Sequence, residues 1–384
     1  MKATRKVALL IETSNAYARG LLQGVIAYLH ENQPWSLYLA EHGRGDSPPG
    51  WLAGWEGDGI LARIETPAMA RALKRLSVPI VDVSAGRLIP ELPWFETDDS
   101  GIAQLAVEHL LERGFKHLAY CGDPRFNWSN WRGEHFARLA REAGIDCHQY
   151  LPARRFPRDH AGQVEDLARW LHELPKPVGV MACYDFRGLQ ILDACRGHGL
   201  HVPDEVAVIG VDNDEVLCEL AHPPLSSVIP NAHRTGYDAA ALLDALMAGR
   251  PPESGVNLIP PIGVATRQSS EVMAIDDVLI IRTVRFIREN ACRGINVQDV
   301  LKAVPQSRRR LENQFRKLLG RTPHEEIVRV QLNRVKRLLG ETDLSLAEIA
   351  ERSGFEHVEY LSVVFKKEFG TPPSQYRLQT RRRR

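Results

Sequence analysis

Two sets of residues in this chain of 384 have the types and spacing to do chemistry. The first recurs just after short apolar runs. Tyr17 and Arg19 follow Val7–Ile11, Trp128 and Arg132 follow His117–Cys121, Asp185 follows Gly179–Ala182, and Asp212-Asn213 follows Val206–Val211. A sugar ring offers apolar C–H faces and a rim of hydroxyls. Aromatic rings cover such faces, while Arg, Asp and Asn hydrogen-bond the hydroxyls. The second set lies near the C-terminus, where Leu311/Phe315 and Leu361/Phe365 have the i,i+4 spacing that buries one face of a helix. The opposite faces carry Arg309, Glu312, Asn313 and Arg316 on the first helix, and Glu359, Ser362, Val363 and Lys366 on the second. Arg fits guanine O6/N7, Asn fits adenine N6/N7, Glu accepts from cytosine N4 and Val can touch a thymine methyl. Arg316 and Lys366 suit phosphates, which position a protein without specifying a sequence.

Taken singly, each residue of the first set also suits a plainer role. Asp212-Asn213 could be a turn, Trp128 core, Arg132 and Asp185 ion-pair partners, and Tyr17 and Arg19 a helix start. All of them nevertheless fall at strand ends, and that shared placement points to a binding site. Strands are expected at Val7–Ile11, Ser36–Ala40, Gly59–Ala62, Ile80–Val83, His117–Cys121, Gly179–Ala182 and Val206–Val211. Helical stretches lie between them at Gly101–Arg113, Trp131–Ala143, Gln163–Leu174, Gly188–His198 and Arg234–Ala248. Such alternation predicts parallel sheets with helices on both faces, and ligands in those folds bind beyond the carboxyl ends of strands.

The second set sits on a repeated helix-turn-helix pattern. One unit runs Val297–Ala303, a turn at Pro305-Gln306, then Ser307–Leu319. The other runs Ser345–Arg352, a turn at Ser353–Phe355, then His357–Phe369. Ser opens a helix in each, and Ser345-Leu-Ala-Glu348 has the form of a capping box. Both units close on Gly before Pro: Gly320-Arg-Thr-Pro323 and Gly370-Thr-Pro-Pro373. Pro323–Leu339 is expected as a single bridging helix with Ile327, Val328, Val335, Leu338 and Leu339 inward.

Residues 277–378 resemble the DNA-binding domain of the AraC/XylS family. The matching stretches are Leu346-Ala-Glu-Ile-Ala350, Gly354-Phe355, Phe365-Lys-Lys-Glu-Phe-Gly370 and Pro373-Ser-Gln-Tyr-Arg377. That resemblance implies a transcription regulator on double-stranded operator DNA, with Arg309, Glu312, Asn313, Glu359 and Val363 as base readers. Residues 5–270 resemble the sugar-binding core of the LacI/GalR repressors and periplasmic sugar-binding proteins. The carriers are Thr97-Asp-Asp99, Gly114–Tyr120, Val202–Asn213 and Pro224-Leu-Ser-Ser-Val228. Here the resemblance implies ligand contacts at Arg132 and Asp212, with a third near Asp185. A polar contact frequent after the Ser-Ser-Val strand falls on Pro230, which leaves Asn231 as a substitute. With a strand expected from Val7, the N-terminal DNA-binding helices usual before such a core are not expected here. The pairing of the two modules resembles bacterial xylose-operon regulators, on Tyr17-Ala-Arg19, Asp212-Asn-Asp-Glu215, Leu225-Ser-Ser-Val228 and Asn290–Gly294. It implies D-xylose as the small-sugar effector. A homodimer is expected, and RNA polymerase is left open as a partner.

The expected architecture is therefore an α/β two-lobed periplasmic-binding-protein-like domain at 1–270, a linker at 271–276, and an all-α domain with two helix-turn-helix units at 277–384. Charge agrees with that division. Residues 276–384 hold 23 Lys+Arg and 14 Asp+Glu, a net of +9, against −8 for the remainder. A basic module on an acidic one points the C-terminal part at phosphates. The terminal Arg381–Arg384 suits either a tail or a nonspecific phosphate contact. The six cysteines form no Cys-x-x-Cys pair, so neither a metal nor a cofactor is expected, and the thiols read as those of a reduced cytoplasmic protein. No run approaches membrane-spanning length, so no membrane partner is expected. Two other function classes remain. A sugar-processing enzyme could use Asp98-Asp99 or Asp212/Asp214, although no Gly-x-Ser-x-Gly, Walker or His-Glu-x-x-His motif is present. An architectural DNA binder would bind without regard to ligand.

Overall fold

A computed structural model describes residues 4–41, 43–150, 160–250, 257–271, 277–341 and 344–382. They fall into two compact units, Met1–Val272 and Met273–Arg384. Linker positions 272–276 and the last two arginines of the terminal run lie outside the described residues.

The first unit has two lobes. In the first, β1 (Lys6–Leu10), β2 (Ser36–Leu39), β3 (Gly59–Ala62) and β4 (Ile80–Asp82) form a parallel sheet in the order β2-β1-β3-β4. Alternation along β1 serves both faces. Val7 and Leu9 pack beneath α1 (Ala16–Glu31) and α8 (Ala232–Met247), while Ala8 and Leu10 pack with α2 (Pro67–Leu73).

The chain leaves this lobe through β5 (Phe95–Thr97) and α3 (Asp99–Leu111). The second lobe then runs β6 (Leu118–Cys121), α4 (Asn127–Glu142), β7 (Cys147–Gln149), α5 (His160–Glu173), β8 (Val178–Ala182), α6 (Asp185–Gly197), β9 (Val206–Val211), α7 (Glu215–Leu220) and β10 (Ser226–Ile229). Its return passes through α8 and β11 (Asn257–Ile259), which pairs with β5, and then β12 (Gly263–Ala265). The second sheet has the order β12-β10-β9-β8-β6-β7, parallel except for the edge strand β12.

Helices α1 and α8 come from distant parts of the chain, and small residues let their backbones touch. A Cβ on Gly24 would lie 2.0 Å from the His233 carbonyl oxygen, and one on Gly236 would lie 2.0 Å from that of Leu21. Gly236→Ala is therefore expected to destabilise this unit by about 1–3 kcal/mol. Thermal melts should show the loss, and an unchanged melting temperature would mean that the two helices can separate freely.

The second unit comprises α9 (Val278–Asn290), α10 (Val297–Ala303), α11 (Arg308–Leu319), α12 (Pro323–Glu341), α13 (Leu346–Arg352), α14 (Val358–Phe369) and α15 (Pro373–Arg382). Ser307 caps α11, and Ser345 with Glu348 forms the reciprocal box on α13. Gly320 and Gly370 close α11 and α14 in left-handed conformation, as their positions before Pro predict. The bridging helix α12 serves two cores. Ile327 packs with Leu311 and Phe315, whereas Val335, Leu338 and Leu339 pack with Leu361 and Phe365.

Several elements differ from expectation. β2 is an edge strand exposed at all four residues, so its apolar run does not mark a core. β5, β7, β11 and β12 have three residues each, too few to show a period in sequence. α4 begins at Asn127 rather than Trp131, and α6 begins at Asp185 rather than Gly188. Residues read as loop after those strands thus lie on first helical turns.

Candidate functional site

The carboxyl ends of β1, β3, β4, β6 and β9 surround a cleft between the lobes of the first unit, with about 470 Å³ of atom-free space including its open mouth. Four residues expected from sequence line it: Tyr17, Trp128, Arg132 and Asp212. Tyr17 stands on the first turn of α1, held by Asn15, whose side chain caps the helix at the Ala18 N–H. Trp128 and Arg132 stand four apart on the first turns of α4, so both face the cleft.

Arg132 is buried and doubly engaged. Its Nε donates to Asp99 Oδ1 at 2.8 Å, its Nη2 lies 2.7 Å from the same oxygen, and its Nη1 donates to the Cys183 carbonyl. Its guanidinium also lies 5.1 Å from the Trp128 ring centroid. Asp212 differs. Among the described residues no hydrogen bond reaches its carboxylate, although Arg132, Arg44 and Arg63 all act on it through space. Burial pushes this carboxyl up to about 6, with the three arginines pulling the other way. The backbone at Asp212 has φ of 105°, and at Asn213 48°. These left-handed values turn the chain sharply at the end of β9.

Three expected contacts do not line the cleft, and each has a physical reason. Arg19 points outward, donating to the Thr13 carbonyl and pairing with Asp214 at 3.6 Å. Asp185 is buried beneath the site, accepting from the Ser227 hydroxyl at 2.6 Å and the Asp214 N–H at 2.7 Å. Desolvation holds its carboxyl well above the usual range, with the Asp212 charge adding to the shift. Asn213 turns away and accepts from Arg267 Nη1 at 2.9 Å. The expected substitute Asn231 is occupied in capping α8 at the Arg234 N–H, while Pro230 itself lines the cleft.

Three further charged residues of the lining escaped sequence reading: Arg44, Arg63 and Glu96. Arg63 directly follows β3, so inspecting that strand end would have found it. It pairs with Glu12 and, at 2.6 Å, with Glu65. Arg44 comes from the long connection after β2, which carries no periodic signal. Its guanidinium lies 5.3, 5.7 and 6.0 Å from the ring centroids of Phe126, Trp128 and Tyr184, and its Nε lies 3.4 Å from Glu65. The side chain comes from the first lobe and all three rings from the second. Glu96 accepts from Arg87 at 2.6 Å, and burial pushes its carboxyl up to about 7.

Three of the four carboxylates that could serve an enzyme have structural occupations. Asp98 caps α3 at the Gly101 N–H, Asp99 holds Arg132, and Asp214 caps α7 at the Leu217 N–H. Among the described residues no cluster of His, Cys, Asp and Glu could hold a metal, and no helix is long and apolar enough to cross a membrane.

In the second unit, Leu311, Phe315, Leu361 and Phe365 are fully buried, and Arg309, Asn313 and Arg316 lie exposed on α11. Glu312 is half-buried and its carboxylate accepts from Arg308 at 2.9 Å, so it faces a competitor for any base. On α14, Glu359, Val363 and Lys366 are exposed and Ser362 is half-buried at the flank. Val363 is 66% exposed, an apolar side chain left in the middle of a polar face. Gln331 on α12 fixes the two halves against each other. Its buried amide donates to the Ala291 carbonyl at 3.0 Å and the Gly354 carbonyl at 2.9 Å. Glu326, held down to about 2 by hydrogen bonds and charge from Arg329 and Arg321 against its burial, braces the start of the same helix.

A ligand cleft between two α/β lobes, joined to paired helix-turn-helix units, defines an effector-responsive transcription regulator that binds DNA. Residues 6–99 match the XylR N-terminal domain family, 107–270 the periplasmic binding protein-like domain family, and 300–379 a helix-turn-helix domain family. The xylose operon regulatory protein of Escherichia coli strain K12 is 32% identical over 380 residues, 97% of this chain and 96% of that one. Its counterpart in Haemophilus influenzae is 30% identical over 381 residues, 97% and 98% of the two chains. A solved structure of a xylose-binding transcription activator superposes with a TM-score of 0.82 at 32% identity, covering 98% of each chain. The chain belongs to the family of xylose operon regulatory proteins.

Proposed function

We propose that this protein is a sugar-responsive, sequence-specific transcription regulator whose effector is D-xylose and whose targets are genes of xylose use. The observation that carries the effector reading is the Asp212 carboxylate. It lines the cleft with no hydrogen bond from the described residues, beside Trp128 and three arginines. Sugar hydroxyls would donate to Asp212, accept from Arg132 or Arg44, and present a C–H face to Trp128. Arg19, Asp185 and Asn213 act outside this contact set. Val83, Ala85 and Pro230 supply an apolar wall.

Arg309, Asn313, Glu359 and Val363 read bases in two major-groove segments, with Arg316 and Lys366 on phosphates. Glu312 reads a base only where Arg308 releases it. The protein acts as a homodimer, and RNA polymerase is the partner an activating form would engage. Sugar favours a closed arrangement of the lobes, and its differential affinity supplies the shift in DNA binding.

Calorimetry against D-xylose and D-glucose tests the effector. A pocket closed around a pentose has no room for the extra hydroxymethyl group, and overpacking is costly. D-xylose is expected to bind at least tenfold more tightly. Tighter binding of D-glucose would overturn the pentose assignment.

A further inference from the structure

We propose that Asn213 and Arg267 are positioning residues that carry occupancy of the cleft to the segment leading into the DNA-binding unit. The inference rests on the sugar-responsive reading above.

Asp212 and Asn213 are consecutive, non-glycine and both left-handed, and they face opposite ways. Asp212 lines the cleft, whereas the Asn213 side chain accepts from Arg267 Nη1. The Asn213 N–H is pinned in turn to the Ser227 hydroxyl at 2.9 Å. A ligand that fixes Asp212 therefore fixes the orientation of Asn213, because one short turn holds both.

Arg267 is the first residue of a strap tied into the second lobe. Its Nη1 also donates to the Leu225 carbonyl at 3.1 Å, and its Nε donates to Glu219 at 3.0 Å. The next ties are buried serines. Ser269 Oγ donates to the Val208 carbonyl at 2.6 Å, and Ser270 Oγ donates to Ser226 Oγ at 2.7 Å. His109 Nε2 lies 2.7 Å from Ser270 Oγ, and Arg113 Nε donates to the Ser270 carbonyl at 2.9 Å. The first unit ends at Val272, two residues on. Asn213, Arg267, Ser269 and Ser270 are thus each held by a named bond, and the Asn213 amide joins the ligand end to the strap end.

Two substitutions separate side chain from backbone. Asn213→Gly keeps a residue that adopts positive φ freely but removes the acceptor. Asn213→Asp keeps both the acceptor and the tolerance of that conformation. On the full chain, calorimetry gives the Kd for D-xylose, and fluorescence anisotropy gives operator affinity with and without saturating D-xylose. Asn213→Gly is expected to bind D-xylose within about threefold of the natural protein, since its side chain does not line the cleft. Its ratio of operator affinities with and without sugar should fall to near one, and Asn213→Asp should restore it. Loss of D-xylose affinity by tenfold or more in Asn213→Gly would make Asn213 a ligand contact and overturn the proposal. An unchanged ratio in Asn213→Gly would overturn it as well. If the natural protein itself binds no D-xylose, the effector assignment fails first and the relay falls with it.

Discussion

Asp212→Ala is expected to weaken D-xylose binding by more than tenfold while leaving the melting temperature of the free protein unchanged or slightly raised. A carboxylate accepting sugar hydroxyls contributes charge-assisted hydrogen bonds of about 1.5–3 kcal/mol each, and about 1.4 kcal/mol is a factor of ten. The fold does not depend on this carboxylate. None of the described residues hydrogen-bonds it, and its burial already works against its charge. Arg132 keeps Asp99, and Arg63 keeps Glu12 and Glu65. Arg132→Ala should lose sugar affinity too, but at a structural cost. It strands the buried Asp99 carboxylate, a penalty of roughly 3–5 kcal/mol, and the melting temperature should fall by something on the order of 10 °C. The contrast between the two variants is itself diagnostic. If both retain natural sugar affinity by calorimetry, the cleft is not the effector site.

The second large effect concerns DNA. Arg309→Ala is expected to cost about 1–3 kcal/mol on the operator and to relax preference at one base pair, as loss of a bidentate guanine contact does. Lys366→Ala should instead weaken operator and scrambled DNA alike and flatten the salt dependence, as loss of one phosphate contact does. Both residues are exposed on helices whose opposite faces are fully buried, so neither change disturbs a core. Anisotropy titrations of both variants across a salt series separate the roles. Equal losses on both DNAs for Arg309→Ala would mean that α11 lies in the groove in another register.

The second unit was more legible in sequence than the first. Its signals are local: Ser caps, Gly closures and the Leu/Phe pairs of α11 and α14 all lie within one helix length. What sequence could not supply was Gln331, which reaches two carbonyls far apart in the chain and sets the spacing of the two halves. In the first unit the strand-end rule located Tyr17, Trp128, Arg132 and Asp212 in the cleft but could not tell which way a strand-end side chain points. Asp212 and Asn213 are neighbours, yet two positive φ values send them to opposite sides of the turn. Arg44 was invisible because its partners, the rings of Phe126, Trp128 and Tyr184, come from a different lobe. Pairing across lobes depends on tertiary placement, which no local pattern encodes.

On the proposed function, the cleft and the helices α11 and α14 are thermodynamically linked. Linkage is reciprocal: if D-xylose changes operator affinity by some factor, operator must change D-xylose affinity by the same factor. The direct measurement is a closed cycle on the full chain, with operator affinity by anisotropy at zero and saturating D-xylose, and D-xylose affinity by calorimetry with and without operator. Two matching factors of about 5–150 are expected, the usual span of coupling between sites. Tight binding of both ligands with no change in either affinity would contradict the linkage.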